Sequence, residues 1–258
     1  MDIWYALLLI AAGLVSGFMN VLAGGGSLLV MPIMTLLLGM SGPVANGTNR
    51  VAILAQNVSA VAGFRKKGFS DIRLSISLAL CALPGAAIGA WYGTALRGEQ
   101  FNRVLSAVMI AVMILMAVKH RQSKKKKSTP PPDSSVVHRP TRKQLIAGHV
   151  LIVAAGFYGG FIQAGVGFIL MAILNQVMGL DLVRVNMHKV FIVASYTVVA
   201  LGFFAWGGHI LWVPGLILAA AMAIGGWVGS HMAISKGEGL IRVVLNIALS
   251  IMIIKLLF

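Results

Sequence analysis

The hydrophobic and polar positions of this chain form long apolar runs separated by short polar breaks. Ten apolar segments can be delimited, five in each half of the chain. Most approach the roughly 20 residues that a helix needs to cross a bilayer, so the pattern predicts membrane-spanning helices rather than barrel strands. The segments are 3–23, 27–40, 46–64, 72–95 and 101–118, then 144–163, 167–179, 186–206, 210–233 and 239–257.

The two halves of the chain repeat each other. When the sequence is shifted by 140 residues, Asn46 coincides with Asn186, and five glycines of the first half coincide with five of the second. Self-similarity at a fixed period indicates a duplicated architecture. We expect a first transmembrane repeat over 1–118, a basic linker over 119–143 and a second transmembrane repeat over 144–258. The coinciding glycines are Gly25, Gly39, Gly68, Gly85 and Gly89, which fall on Gly165, Gly179, Gly208, Gly225 and Gly229.

Composition supports the membrane assignment. Hydrophobic residues make up 59% of the chain and charged residues 10%, with a mean hydropathy of +0.91, whereas soluble domains carry about 25% charged residues. The apolar run at 3–23 lacks the positive region that precedes a cleaved signal sequence, so we expect a retained helix there. Cys81 is the single cysteine, which excludes a disulfide or a thiolate metal site within one chain.

The net charge of +15 predicts orientation in the membrane rather than nucleic-acid binding, because the basic residues lie between the apolar segments. The linker 119–143 carries nine Lys and Arg residues against one acidic residue. If it is cytoplasmic and each half crosses an odd number of times, 17 Lys and Arg residues lie inside and four outside. We therefore expect a multi-pass plasma-membrane or inner-membrane protein with inverted halves and both termini extracytoplasmic.

Two segments are too short to cross a bilayer. Residues 27–40 and 167–179 are 13 to 14 residues long, about 20 Å as helices against a hydrocarbon core of ~30 Å. A glycine cluster precedes each: 24–26 in the first half and Gly165 with Gly167 in the second. Short, glycine-interrupted segments at matching positions indicate the binding site of a transporter. The pattern leaves open whether they are broken crossings or re-entrant hairpins.

Polar residues open the third segment of each half. In the first copy, the third segment begins with the polar residues Asn46, Thr48, Asn49 and Arg50. In the second copy, the third segment begins with the polar residues Asn186, His188 and Lys189. Each copy therefore has a side-chain amide followed within four residues by a cation. Arg50 lies on the side where positive charge is scarce, which the orientation rule does not explain, and ionisable residues within a membrane favour a functional role. His188 is a candidate proton carrier.

The chemistry of these segments favours an anionic substrate. No Asp or Glu lies within any predicted segment, whereas a cation transporter normally needs a buried carboxylate. Helix N-termini at the glycine clusters would add N–H donors suited to a compact oxyanion. The sequence holds no catalytic pattern and no nucleotide-binding loop, so it predicts neither an enzyme nor an ATP-driven pump, and neither a cofactor nor a metal.

These features together resemble the sulfite exporter TauE/SafE family of membrane permeases. The first copy carries the likeness in its stretch from Gly17 to Pro32, in Gly39 and in residues 45–49. The second copy carries a degenerate version from Gly156 through 165–168 to Asn186, and the basic turn 65–69 and the helix around Pro84 also fit. The resemblance implies transport of sulfur-containing and small organic anions. The family pattern has Ser where Asn49 stands, followed here by Arg50.

We therefore predict an all-α polytopic secondary transporter with two inverted repeats of about five helical segments each, including short broken or re-entrant helices after the glycine clusters. It would move an organosulfonate or a sulfite-like oxyanion by alternating access, with backbone N–H groups of the glycine clusters, the polar side chains and the charge of Arg50 holding the anion. An anion channel and a membrane scaffold are the alternatives. A co-transported proton or sodium ion and a homodimer stay open. The predicted substrate-binding residues are Asn20, Gly25, Gly26, Ser27, Asn46, Thr48, Asn49, Arg50, Gln163, Gly165, Gly167, Asn186, His188 and Lys189.

Overall fold

The structure, a computed structural model, describes residues 3–68, 71–95 and 140–257, together with 99, 100, 103 and 107. For 237–257 it describes the helix and, Val243 apart, no side chains. The described residues form helices and turns without strands, which confirms the all-α prediction. The helices are α1 (Ile3–Leu22), α2 (Ser27–Pro32), α3 (Gly42–Lys66), α4 (Ile72–Ala95), α5 (Arg142–Phe161), α6 (Val166–Ala172), α7 (Leu182–Trp206) and α8 (Trp212–Leu257).

Five of the described helices are long and apolar enough to cross a membrane: α1, α4, α5, α7 and residues 212–236 of α8. The 25-residue α3 is as long as α7, but its buried polar residues lower its hydropathy. α8 continues to Leu257 without interruption, whereas the sequence predicts a break between 233 and 239. Apart from residues 103 and 107, the predicted segment 101–118 lies outside the described residues, as does most of the predicted linker.

The short helices after the glycine clusters are present in both copies, as predicted. α2 and α6 each continue into one wider turn, Ile33–Leu37 and Ile173–Val177, closed by hydrogen bonds over five residues. Such turns interrupt helices mostly at functional sites. Each copy then reverses through a glycine in the left-handed region, Gly39 at φ 64° and Gly179 at φ 73°.

The register between the copies changes at the break after the first helix. α1 ends at Leu22 and α5 at Phe161, a shift of 139 residues, whereas α3 and α7 are related by 140. The first left-handed residue after each of these helices is Gly24, at φ 83°, in the first copy and Gln163, at φ 68°, in the second. Gln163 therefore corresponds to Gly24 and not to Asn20. The second copy has one extra residue at this point.

Each repeat contributes its fourth helix to the packing of the other. α4 packs on α5 and α7, while α8 packs on α1 and α3. The contacts along α4 and α5 advance in the same direction, so these helices are parallel, and α1 and α8 are parallel for the same reason. A Cβ on any glycine of the α4 stripe would meet α5 backbone. The glycines are what let these two helices approach so closely, as small residues do in membrane helices. That stripe is Gly85, Gly89 and Gly93, which lie against Val153, Phe157 and Phe161.

The repeat-related helices α3 and α7 run antiparallel. Phe204, near the end of α7, lies over Arg50, near the start of α3. Asn57, further along α3, meets Lys189 and Val193, near the start of α7, around one cavity. Antiparallel equivalent helices are what inverted repeats require.

Candidate functional site

The two glycine breaks touch at the centre of the molecule. A Cβ on Gly24 would lie 2.6 Å from Gly167 Cα, and a Cβ on Gly167 would lie 2.8 Å from Gly24 C. Real Cβ atoms do not come this close to backbone, so glycine is required at both positions. The two glycine clusters thus meet in a direct backbone contact between the two halves of the chain.

A small cavity, called here the polar cavity, lies beside this contact and has room for about one water molecule. Five helices, α1, α2, α3, α6 and α7, and Gln163 of the second break contribute to its wall. Five of the predicted residues line it, which places both copies around one site. Its lining residues are Asn20, Ser27, Asn57, Gln163, Val166, Gly167, Lys189 and Val193.

Lys189 brings a positive charge to the wall of the polar cavity. Its side chain is 2% exposed. Its Nζ donates to Asn20 O at 3.1 Å, to Val21 O at 2.7 Å and to Asn186 Oδ1 at 2.8 Å. These bonds use all three ammonium donors and place the cation at the negative end of the α1 dipole. Among the described residues, no carboxylate pairs with it.

Arg50 occupies the equivalent place on the other copy. Its guanidinium donates to Gly159 O at 3.1 Å, to Gly160 O and to Phe161 O at 3.5 Å, which are carbonyls at the end of α5. A further bond of 3.4 Å reaches Gln163 Oε1. Arg50 is fully buried and is not a lining residue of the polar cavity. It therefore caps a helix and contacts the cavity wall only through Gln163.

An asparagine accompanies each cation. Asn46 Nδ2 donates to Phe161 O at 2.8 Å, and Asn186 Nδ2 donates to Leu22 O at 3.4 Å. Phe161 and Leu22 are the last residues of α5 and α1. In each copy, an amide and a cation on the third helix therefore hold the end of the other copy's first helix.

The remaining predicted polar residues lie elsewhere. Thr48 Oγ1 accepts from Leu211 N at 2.9 Å, just before α8, and His188 Nδ1 lies 2.8 Å from Ser75 Oγ of α4. Both side chains thus contact the exchanged fourth helices and do not line the polar cavity. Asn49 is fully buried, and neither of its amide atoms has a hydrogen-bond partner.

The other predicted glycines shape the breaks. Gly26 precedes α2, and Gly165, at φ 77°, precedes α6. A Cβ on Gly26 would lie 2.7 Å from the Asn20 side chain, and one on Gly25 would lie 2.5 Å from the Phe168 ring. These positions need glycine so that α2 can fold back against α1 and α6.

Sequence reasoning missed three cavity residues: Asn57, Val166 and Val193. Helix periodicity could have found two of them, because Asn57 lies seven residues after Arg50 and Val193 four residues after Lys189. Val166 depends on the extra residue at the second break, which no pattern in one sequence reveals.

The arrangement offers one unneutralised ammonium, a serine hydroxyl and several side-chain amides around a small space, which suits a compact anion. No group of three His, Cys, Asp or Glu that could hold a metal occurs within the part of the chain that the structure describes.

A family model and several known proteins match nearly the whole chain. A family model described as sulfite exporter TauE/SafE matches residues 9–256. The chain is 27% identical to the probable membrane transporter protein ORF9 of a Sinorhizobium species, over 94% of this chain and 90% of that protein. It is 25% identical to a probable membrane transporter protein of Haemophilus influenzae, over 100% and 97%. It is 26% identical to the probable membrane transporter protein YfcA of Escherichia coli, over 95% and 87%. No solved structure matches the chain.

Proposed function

Because the chain belongs to the sulfite exporter TauE/SafE family and is a multi-pass membrane transporter rather than an enzyme, we propose that its substrate is a small anion bound in the polar cavity. The family description names sulfite, which favours a sulfite-like oxyanion as the substrate, and an organosulfonate carries the same kind of oxyanion group. The protein is then a secondary transporter that works by alternating access, with the site at the contact between the inverted repeats.

The observation that carries this proposal is the buried ammonium of Lys189 in the cavity wall. A charge in a water-poor site attracts an ion of opposite sign far more strongly than it would in water. Since the three donors of Lys189 are already used, the anion must either replace one carbonyl or bind by charge alone. Ser27, Asn57 and Gln163 supply the polar groups that would fix its orientation.

Arg50 takes a different role from the one that the sequence suggests. Its donors hold the end of α5, so we assign the substrate's charge partner to Lys189 and treat Arg50 as a positioning residue. The backbone N–H groups of the glycine clusters stay in the proposal as contacts of the anion, since Ser27 and Gly167 line the polar cavity.

The proposed orientation places the end of α3 and its basic turn in the cytoplasm and the start of α3 outside. The exposed residues Arg65, Lys66, Lys67 and Arg73 lie at that turn, in agreement with the excess of positive charge on cytoplasmic loops. Both termini are then extracytoplasmic and the linker is cytoplasmic.

The test is uptake by purified protein in liposomes. Labelled sulfite, sulfoacetate, taurine and thiosulfate are offered separately, each with and without an imposed pH gradient. We expect saturable uptake of at least one of them, with counterflow when unlabelled substrate is preloaded. Dependence on the pH gradient would identify proton coupling, and the same design with a sodium gradient tests sodium.

Three results would contradict parts of the proposal. Flux without saturation or counterflow would favour an anion channel. No uptake of any of these anions by monodisperse, correctly inserted protein would remove the sulfur assignment, and full activity of the neutral variant Lys189→Gln would remove the cavity as the site.

A further inference from the structure

The molecule has two layers of buried polar residues, one around Arg50 and one around Lys189. They differ in how completely their polar atoms are hydrogen-bonded. On the Lys189 side, the ammonium and the Asn186 side chain are all hydrogen-bonded. On the Arg50 side, four buried atoms have no partner: Asn46 Oδ1, both amide atoms of Asn49 and Arg50 Nε. Near-symmetric sequences have therefore adopted two different local states.

The layers also differ in what covers them. The guanidinium of Arg50 lies 4.5 Å from the centre of the Phe204 ring, and Phe204 meets His209 edge-on at 6.3 Å between ring centroids. Phe204 is fully buried, while His209 is partly exposed. Arg50, Phe204 and His209 thus form a stack from the interior towards the surface, called here the Arg50 gate.

The Arg50 gate lies between the start of α3 and the polar cavity. Arg50 is eight residues after the first residue of α3, about 12 Å along the helix. Asn57, which lines the polar cavity, is seven residues, or about 10 Å, further on. Gln163 joins the two levels, since it lines the cavity and accepts from Arg50. A path along α3 from its start to the polar cavity runs past this layer.

Unpaired buried polar atoms favour states in which water can reach them. The four atoms around Arg50 would gain partners if the layer became hydrated, whereas the ammonium of Lys189 and the side chain of Asn186 already have theirs. The start of α3 is consequently the side on which opening is least costly.

We propose that Arg50, held on the end of α5 and covered by Phe204, is a gate that closes the polar cavity from the side where α3 begins. Release of the guanidinium from the α5 carbonyls opens that side to water and substrate. The proposal concerns access and not substrate identity, so it can stand or fall without the transported anion being known.

The test measures access to a cysteine in the polar cavity without any substrate. In the full chain with Cys81→Ser, which removes the single cysteine, Ser27→Cys reports on the cavity. A membrane-impermeant methanethiosulfonate reagent is applied from each side of sealed vesicles. Ser41→Cys and Lys67→Cys, exposed positions at opposite ends of α3, identify the two sides in parallel samples.

Phe204→Leu and Arg50→Lys each weaken the Arg50 gate while keeping an apolar residue or a charge in place. We expect either change to speed labelling of Ser27→Cys from the Ser41 side about tenfold. This is the effect of losing one hydrogen bond of a charged group in Arg50→Lys, or the cation–π contact with Arg50 in Phe204→Leu. The matched control is Phe64→Leu, since Phe64 is the repeat equivalent of Phe204 and is 1% exposed. It should leave labelling from that side unchanged.

The outcomes separate a gate from a merely structural role. A faster rate in either gate variant, confined to the Ser41 side and missing from Phe64→Leu, supports the proposal. An unchanged rate in both variants, an equal rise in Phe64→Leu, or a rise confined to the Lys67 side overturns it. Failure of anion uptake in the wild type leaves these rates readable, so the two proposals fail separately.

Discussion

At the residue scale, two buried cations in equivalent surroundings have separate tasks. Arg50 and Lys189 each donate to the last carbonyls of a helix from the other repeat. The planar guanidinium reaches several carbonyls at once and stacks on an aromatic ring. The compact ammonium leaves space beside it, and the polar cavity occupies that space. In the proposed site, side-chain shape therefore decides which cation is available to the anion.

Replacing Lys189 by glutamine should remove the charge from the cavity while keeping a polar group near the α1 carbonyls. We expect at least about a tenfold loss of uptake at low substrate concentration, because hydrogen bonds and contacts to charged groups are worth this much or more. Lys189→Arg should keep part of the activity. Uptake kinetics in liposomes measure the effect, and Lys236→Gln, at an exposed position of α8, is the control. Equal losses in both glutamine variants would mean that the loss is not specific to the cavity charge.

The backbone contact between Gly24 and Gly167 makes a second residue-scale prediction. Gly167→Ala would place a methyl group against the Gly24 backbone, so we expect a loss of about 1–3 kcal/mol, as for other overpacked sites. Gly202→Ala, in α7 with no atom within 4 Å of the added Cβ, should be neutral or stabilise the helix by about 0.5–1 kcal/mol. Thermal unfolding in detergent compares the two, and equal melting temperatures would contradict the contact.

At the element scale, the sequence predicts the helices well and the breaks only in part. The pattern places the third segments at 46–64 and 186–206, and the helices run from Gly42 to Lys66 and from Leu182 to Trp206. Glycine clusters mark where the short helices start, because only glycine allows the close approach found there. No glycine marks the left-handed conformation at position 163, where the residue is Gln163. Tertiary contacts impose it, whereas the one-residue change of register comes from the extra residue in the second copy.

The starts of α3 and α7 provide a matched pair of helix caps. Asp181 Oδ1 accepts from the N–H groups of Val183 and Arg184 at 3.1 and 2.9 Å, whereas its repeat equivalent Ser41 makes no side-chain cap bond. Asp181→Ala should therefore cost about 1 kcal/mol, lowering the melting temperature by about 2–4 °C for a chain of this size. Ser41→Ala should change it little. A larger shift in Ser41→Ala than in Asp181→Ala would refute the assignment.

At the scale of the whole molecule, the repeats are not two adjacent bodies. The duplication and its inversion can be read from glycine spacing and loop charge, because both leave marks in one sequence. The exchange of fourth helices cannot be read from the sequence, because α4 and α8 present similar glycine stripes that would pack equally well on either repeat. The packing groups are α1, α3 and α8 on one side and α5, α7 and α4 on the other. A rocking motion would then move these groups rather than the two halves of the chain.

This exchange predicts how the chain behaves when it is divided within the linker 119–143. Alone, the first half would lose the α5 carbonyls that satisfy Arg50, and the second half would lose the α1 carbonyls that satisfy Lys189. A bare cation within the bilayer is costly, and each fourth helix would leave its partners. We expect neither half to accumulate by itself, whereas co-expressed halves should co-purify through a tag on one of them. Membrane yields and size-exclusion profiles measure this. A first half that is monodisperse at the yield of the intact chain would mean that the exchanged packing is not needed for folding, and that each repeat can satisfy its own cation.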